Sequence, residues 1–189
     1  VILTTDTYHH RFFINYLMKK FEFSSVIFED IYSHAKFKTG PFLEDEEKQF
    51  EFQNFFKNTS STIPDNIKSV KNINNQESLD ILREIDPDFG IVFGTGKISE
   101  EIISLFNDGL INVHRGVAEK YRGLDSDLWA IYHGDYLNIG VTIHQVFPKL
   151  DTGDILFSEV LELNHEIKIY QIRYYTTLIA SRLVQKSIK

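Results

Sequence analysis

The sequence contains no cysteine, which excludes a disulfide framework and a thiolate metal site and favours a cytoplasmic address. It has no apolar run approaching the roughly 18 residues a membrane span requires, and no basic segment leads into an apolar one at its start. A soluble protein with no membrane partner is therefore expected. Positive charge is scarce as well: 20 Lys plus Arg stand against 27 Asp plus Glu, giving a net charge of −7 whose field repels polyanions. Nucleic acid is accordingly not expected as a partner. An initial methionine, internal repeats and low-complexity tracts are also missing. What remains is 42% hydrophobic and 25% charged over 189 residues, the composition of a globular chain expected to fold as one domain, 1–189.

Apolar patterning supplies the architecture. Residues 1–5 read as a buried strand, and Asp6 stands where it would cap a helix over 8–20 that carries Phe12, Phe13, Tyr16 and Leu17 at helical spacing. A second strand follows at 24–28, with Glu29 and Asp30 after it expected in solvent. A helix over 44–57 opens with four carboxylates, Glu44 to Glu47, that suit the positive end of its dipole. Its Phe50, Phe52, Phe55 and Phe56 are expected as core or as contacts of a homodimer. A short strand at 67–70, a helix at 78–85, a continuous apolar strand at 89–93 and a helix at 99–106 complete an alternation of strand and helix. That alternation predicts an α/β fold, a Rossmann-like, mostly parallel sheet with helices on both faces. Beyond it come a strand at 110–114, a helix at 125–133, strands at 140–147 and 155–163 that pair with each other near the C-terminal end, and a last helix at 167–188.

The polar residues that stand out lie at strand ends. Side chains alternate along a strand, so Asn112 and His114 emerge on one side, about 6 to 7 Å apart. Asp151 lies in a polar turn after the next strand. An amide, an imidazole and a carboxylate are what carbonyl chemistry needs: a donor for a developing oxyanion, a proton carrier and a group that orients and charges it. At the carboxyl end of the first strand, where open α/β sheets bind ligands, His10 and Arg11 are candidates for substrate contact, although a solvated helix N-terminus accounts for them equally. Adjacent His9 and His10 point about 100° apart on a helix and have no acidic residue at helical spacing, so no metal is expected there. The turn Phe93-Gly94-Thr95-Gly96-Lys97-Ile98 lets a ligand reach the backbone but lacks the third glycine of a dinucleotide fingerprint.

The ordered series Asn112-Val113-His114, Tyr121-Arg122-Gly123, Trp129-Ala130-Ile131, His133-Gly134-Asp135, Gly140-Val141-Thr142-Ile143-His144 and Leu150-Asp151-Thr152-Gly153-Asp154 resembles the 10-formyltetrahydrofolate-dependent formyltransferases. The resemblance implies their Rossmann-like fold and transfer of a formyl group from 10-formyltetrahydrofolate to a primary amine, with Asn112, His114 and Asp151 in the catalytic positions. It places the folate against Phe93, Gly94, Thr95, Gly96, Lys97, Ile98, Val146 and Leu150, and the amine acceptor against His10, Arg11, Arg115, Gly116 and Tyr121. In those roles Asn112 and a protonated His114 stabilise the oxyanion, and Asp151 raises the charged fraction of the histidine, whose free pKa is about 6.5, and takes the proton lost by the amine. Gly123 and Gly140 are expected in tight turns, Arg122 as a brace for the active-site loop, His144 as structural and Trp129 as core.

Two stretches depart from the family pattern. Residues Val117-Ala118-Glu119-Lys120 replace a common Leu-Pro pair, and Arg115 follows the histidine where Pro is common. Residues 4–11 carry no glycine, unlike the phosphate loop of the glycinamide ribonucleotide enzymes, while the methionyl-tRNA enzymes add a C-terminal domain and the deformylases an N-terminal one. By elimination, a nucleotide-linked amino sugar is the expected acceptor. The rival readings are a glycinamide ribonucleotide formyltransferase, a hydrolase of 10-formyltetrahydrofolate, and a folate-binding or scaffold protein without activity.

Overall fold

The computed structural model describes residues 1–30, 43–57, 66–148 and 153–188. The chain runs β1 (Ile2–Thr4), α1 (Tyr8–Met18), β2 (Val26–Glu29), α2 (Glu44–Phe55), β3 (Ile67–Val70), α3 (Gln76–Ile85), β4 (Phe89–Phe93), α4 (Glu100–Ile103), β5 (Gly109–His114), α5 (Ser126–Tyr132), β6 (Gly140–Gln145), β7 (Ile155–Val160) and α6 (Ile172–Ser187). The strands form one sheet in the order β3-β2-β1-β4-β5-β6-β7. Pairing is parallel from β3 through β5, and antiparallel between β5 and β6 and between β6 and β7. The expected mostly parallel α/β sheet, with its strand pair at the C-terminal end, is the one observed.

Strand alternation sorts the apolar residues into two cores. Ile2, Phe28, Ile91, Ile111, Val141 and Ile143 pack beneath α1 and α6, which contribute Phe13, Leu17, Ile179 and Leu183. Their neighbours in sequence, Leu3, Ile27, Val92 and Leu110, turn to the opposite face and meet Leu79 and Leu82 of α3 and Ile102 of α4. Each such side chain contributes about 1.5 to 3 kcal/mol by leaving water. Strands covered on both faces must be apolar at every position, which is why β1 and β4 read as runs rather than alternations. The order β3-β2-β1-β4-β5 reverses direction between β1 and β4, so the chain switches sides there and leaves a crevice at the carboxyl ends.

Several local expectations are corrected. The helix expected over 99–106 ends at Ile103, because the chain then turns to lay Phe106 over Gly90, where a side-chain carbon would come within 2.4 Å of the ring. Asp6 does not cap α1; both its oxygens are taken by Arg11, at 2.5 and 2.8 Å, and Thr7 occupies the cap position. Glu29 is not solvated but 2% exposed. Trp129 is 51% exposed, because the inner face of the short α5 is filled by Ser126, Asp127 and Ala130. Gly140 is no turn residue: it sits within β6, where the β7 backbone passes so close that a side-chain carbon would lie 2.3 Å from the Glu159 carbonyl oxygen. Gly123, with φ +86, does make a turn.

Candidate active site

A cavity of about 330 Å³ opens at the carboxyl ends of β4 and β5, on the sheet face shared with α3 and α4. Phe93, Gly94, Thr95, Gly96, Lys97 and Ile98 line it together with Val146, so seven of the eight positions expected to contact a folate border one space. Leu150, the eighth, lies outside the described residues. Gly94 has φ +84, and a side-chain carbon there would strike the His10 ring at 2.5 Å, so the turn depends on glycine for both conformation and space. Thr4 secures the start of the loop, its hydroxyl donating to the Phe93 carbonyl at 2.7 Å.

Asn112 and His114 face the same cavity from β5. Antiparallel register sets Asn112 opposite His144 of β6, and Asn112 Nδ2 lies 3.1 Å from His144 Nε2. The other nitrogen, His144 Nδ1, lies 2.8 Å from the Gln145 carbonyl oxygen. A carbonyl only accepts, so Nδ1 carries the hydrogen, Nε2 accepts, and the Asn112 amide is held with its NH₂ toward His144. His144, expected to be structural, therefore also orients a cavity-lining amide and borders the cavity itself. The signal was present in the alternation of Thr142 and His144, which places both on the face of Asn112 and His114.

His114 is 6% exposed, and its Nε2 donates to the Tyr121 carbonyl at 2.8 Å. That bond fixes a proton on Nε2 and makes Nδ1 the nitrogen that gains or loses one. Gly116 packs under this ring: a side-chain carbon would lie 2.8 Å from His114 Nε2 and 2.6 Å from Ser126 Cβ. Thr142 ties the same turn to β6, donating to the Gly116 carbonyl at 2.8 Å and accepting from the Ala118 amide at 3.1 Å. Arg122 braces it from the other side through Nε to the Ala118 carbonyl, 3.1 Å away. Asp151 lies outside the described residues.

The residues expected at the acceptor separate. Arg115 lines the cavity and stands 3.8 Å from the buried Asp127. Gly116 is enclosed as described. Tyr121 directs its hydroxyl to Asp135 at 3.1 Å and does not border the cavity. Arg11 is engaged by Asp6. His10 is 4% exposed, with Nδ1 at 2.8 Å from the Thr5 hydroxyl and 2.9 Å from that of Thr7, so it supports the Gly94 turn from below rather than reaching into the cavity. Helical spacing also misjudged the neighbours of the histidine pair. The His9 and His10 rings lie 4.0 Å apart between centroids, and a carboxylate does arrive, Glu51 from α2, 3.6 Å from His9.

That carboxylate belongs to Arg173. Its guanidinium forks onto Glu51 at 2.6 and 3.1 Å and reaches Glu47 at 3.0 Å. Burial lowers the Arg173 pKa, but its hydrogen bonds to Glu51 together with the charges of Glu51, Glu47 and Asp127 outweigh this and leave it raised. Burial, with Arg173 and Arg115 adding to it, holds His9 well below its ordinary value. Burial together with His9 does the same to His10. Both imidazoles are neutral, so the His9 to Glu51 contact is a polar one and not an ion pair. Glu47 is raised, chiefly by burial, against the opposing pull of Arg173.

Comparison with known proteins bears on this arrangement. Residues 43–177 match the family model described as formyl transferase. A methionyl-tRNA formyltransferase of Finegoldia magna is 34% identical over 119 residues, covering 62% of this chain and 38% of that protein. The corresponding protein of Caldanaerobacter subterraneus is 39% identical over 100 residues, covering 52% and 31%. The matched region thus spans about a third of those relatives' length. In fold the chain is similar to a phosphoribosylglycinamide formyltransferase of Anaplasma phagocytophilum, with a TM-score of 0.69 and 18% identity over 100% of this chain and 83% of that one. A sugar N-formyltransferase of a Shewanella species gives 0.66 and 13% over 99% and 66%.

Proposed function

The chain belongs to the formyl transferase family, and from that premise we propose that it moves a formyl group from 10-formyltetrahydrofolate to a primary amine, with Asn112, His114 and Asp151 as the reacting groups. The observation that carries the reading is the placement of the Asn112 amide and the His114 imidazole on the wall of the same cavity as the Gly94 turn. The cavity suits a flat heterocycle: Phe93, Ile98 and Val146 supply apolar surface, and the glycine-containing turn brings backbone donors and acceptors to its edge.

In this reading Asn112 donates to the formyl oxygen as an amine adds to the carbonyl carbon, and His114, protonated on both nitrogens, offsets the charge that develops. Asp151 holds that charge in place and accepts the proton the amine must lose. Collapse of the adduct breaks the bond to the folate nitrogen, which takes up a proton as tetrahydrofolate leaves.

The acceptor we favour is a small amine, a nucleotide-linked amino sugar, because the chain carries a net charge of −7 and residues 4–11 contain no glycine with which to cradle a ribonucleotide phosphate. A specific observation supports a second reading, a tRNA-linked amine: curated relatives at 34% identity are methionyl-tRNA formyltransferases. One experiment separates the readings. The protein is incubated with 10-formyltetrahydrofolate and, in turn, amino-sugar nucleotides, glycinamide ribonucleotide and methionyl-tRNA, and each acceptor is weighed for an added formyl group. A gain on the sugar alone supports the first reading, and a gain on the tRNA replaces it with the second. Rapid release of tetrahydrofolate without any amine identifies a hydrolase, and no gain on any acceptor removes the transferase reading.

A further inference from the structure

Beneath the cavity wall lies a carboxylate that does not itself line the cavity. Glu29 ends β2, a strand buried along its whole length, and is itself 2% exposed. Its Oε1 accepts from the Ile73 amide at 2.9 Å and its Oε2 from the Gly96 amide at 2.8 Å. One side chain thus joins the connection between β3 and α3 to the turn that walls the cavity. The next residue of that connection completes the clasp: Asn74 Nδ2 donates to the Lys97 carbonyl at 2.8 Å, and its Oδ1 accepts from the Ser99 amide at 2.7 Å.

Burying a carboxylate is unfavourable unless its oxygens are hydrogen-bonded, and an apolar residue at the end of a buried parallel strand would favour stability more. A charged acceptor with both oxygens on main-chain donors of two different loops is the chemistry of a bridge. Hydrogen bonds to a charged group are also roughly twice as strong as neutral ones, so the Gly96 peptide plane is held firmly. That plane also carries the Thr95 carbonyl, on the side opposite the Gly96 amide, and so decides which way this carbonyl faces at the edge a heterocycle would meet.

We propose that Glu29 is a positioning residue for the folate pocket, setting the Gly96 peptide so that the turn presents its backbone to the donor, with Asn74 fixing the far end. The inference rests on the reading of the cavity as the donor site. Glu29→Gln keeps the shape but turns an NH₂ toward one of the two amide donors, so its effect should fall on folate binding rather than on the chemical step or on the acceptor.

Calorimetric titration of the whole protein with tetrahydrofolate tests this, well below the melting temperature. Glu29→Gln should weaken binding about tenfold, the loss expected for one hydrogen bond to a charged group. In turnover, the KM for 10-formyltetrahydrofolate should rise similarly, with kcat and the acceptor KM changed less than about threefold. Asn74→Ala, at an exposed position, should weaken folate binding about threefold. It stands as the test should Glu29→Gln not fold. Wild-type affinity in a folded Glu29→Gln, or in Asn74→Ala if the former is lost, overturns the inference while leaving the donor reading intact. Absence of folate binding by the wild type overturns both.

Discussion

On one side of the cavity, Phe93 to Ile98 form a contiguous stretch whose conformation is set by a glycine at φ +84, by the Thr4 hydroxyl donating to the Phe93 carbonyl and by the Gly96 amide donating to Glu29. On the other, Arg115 borders the cavity beside Asp127 of α5, and behind it, among residues that do not line the cavity, its charge acts on His9 and His10 of α1 and on Glu47 of α2, while Arg173 of α6 binds Glu47 and Glu51. The first wall is held at its backbone by a hydroxyl and a carboxylate from strand ends. The second, at Arg115, is backed by a charge network shared by four helices. A wall of the first kind suits a constant ligand, because its donors and acceptors cannot change sign. A wall of the second kind can be rewritten one residue at a time, which suits a site where acceptors differ.

The largest expected effect breaks the second wall alone. Arg173→Ala leaves Glu51, at 1% side-chain exposure, buried without its cation, and stranding one member of such a pair costs about 3 to 5 kcal/mol. Chemical denaturation should show that loss, while folate affinity measured on the folded variant stays close to wild type. A loss below about 1 kcal/mol would mean that solvent already reaches Glu51. It would also remove the contrast between the walls. Next in size, Asn112→Ala should lower kcat by about 10² to 10³, the cost of one oxyanion donor. The melting temperature should move only slightly, because His144 keeps its bond to the Gln145 carbonyl. Unchanged kcat would mean that the oxyanion is met elsewhere.

The same contrast separates what could be read in the sequence from what could not. The parallel sheet and the gathering of the Gly94 turn, Asn112 and His114 around one cavity are legible because their information is local: apolar runs mark covered strands, a glycine-containing turn follows β4, and Asn112 and His114 share a face by strand alternation. Glu29 was misjudged because its partners, Ile73 and Gly96, lie 44 and 67 residues away and are backbone amides, which no side-chain pattern reveals. Trp129 was placed inside by its residue type, whereas the width of α5 leaves room only for Ser126, Asp127 and Ala130 on the inner side. The position of His10 at a strand end suits a substrate contact or a solvated helix N-terminus equally, but the hydroxyls of Thr5 and Thr7 hold its buried ring beneath Gly94.

A smaller perturbation tests how the walls meet at His114. Gly116 has no room for a side-chain carbon, which would come within 2.8 Å of the imidazole and 2.6 Å of Ser126. Gly116→Ala should therefore push the His114 ring outward. Misplacement of a reacting group by an ångström costs up to about a hundredfold, so kcat should fall by about ten- to a hundredfold with folate affinity unchanged. If folate binding falls instead, the two walls are mechanically coupled.

The smallest effect is a pH dependence confined to the charge network. His9 and His10 are held well below 6.5 in the folded chain by burial first and by neighbouring positive charge or each other second. The unfolded chain takes up these protons as pH falls below about 6.5 and the folded chain does not, so the stabilising contribution is complete above that pH and is lost on acidification. Each histidine contributes a slope of at most about 1.4 kcal/mol per pH unit. Glu47, raised by burial, has the opposite sign, its contribution being lost as pH rises above about 4.5, whereas the two histidines act as pH falls below about 6.5. Melting curves below about pH 6.5 should fall with acid, and His10→Asn, which keeps a polar atom near the Thr5 and Thr7 hydroxyls but cannot titrate, should flatten the fall by up to half. Parallel curves for the two proteins would place the acid-sensitive group outside the histidine pair, and would show that the network is buffered by its arginines and carboxylates alone.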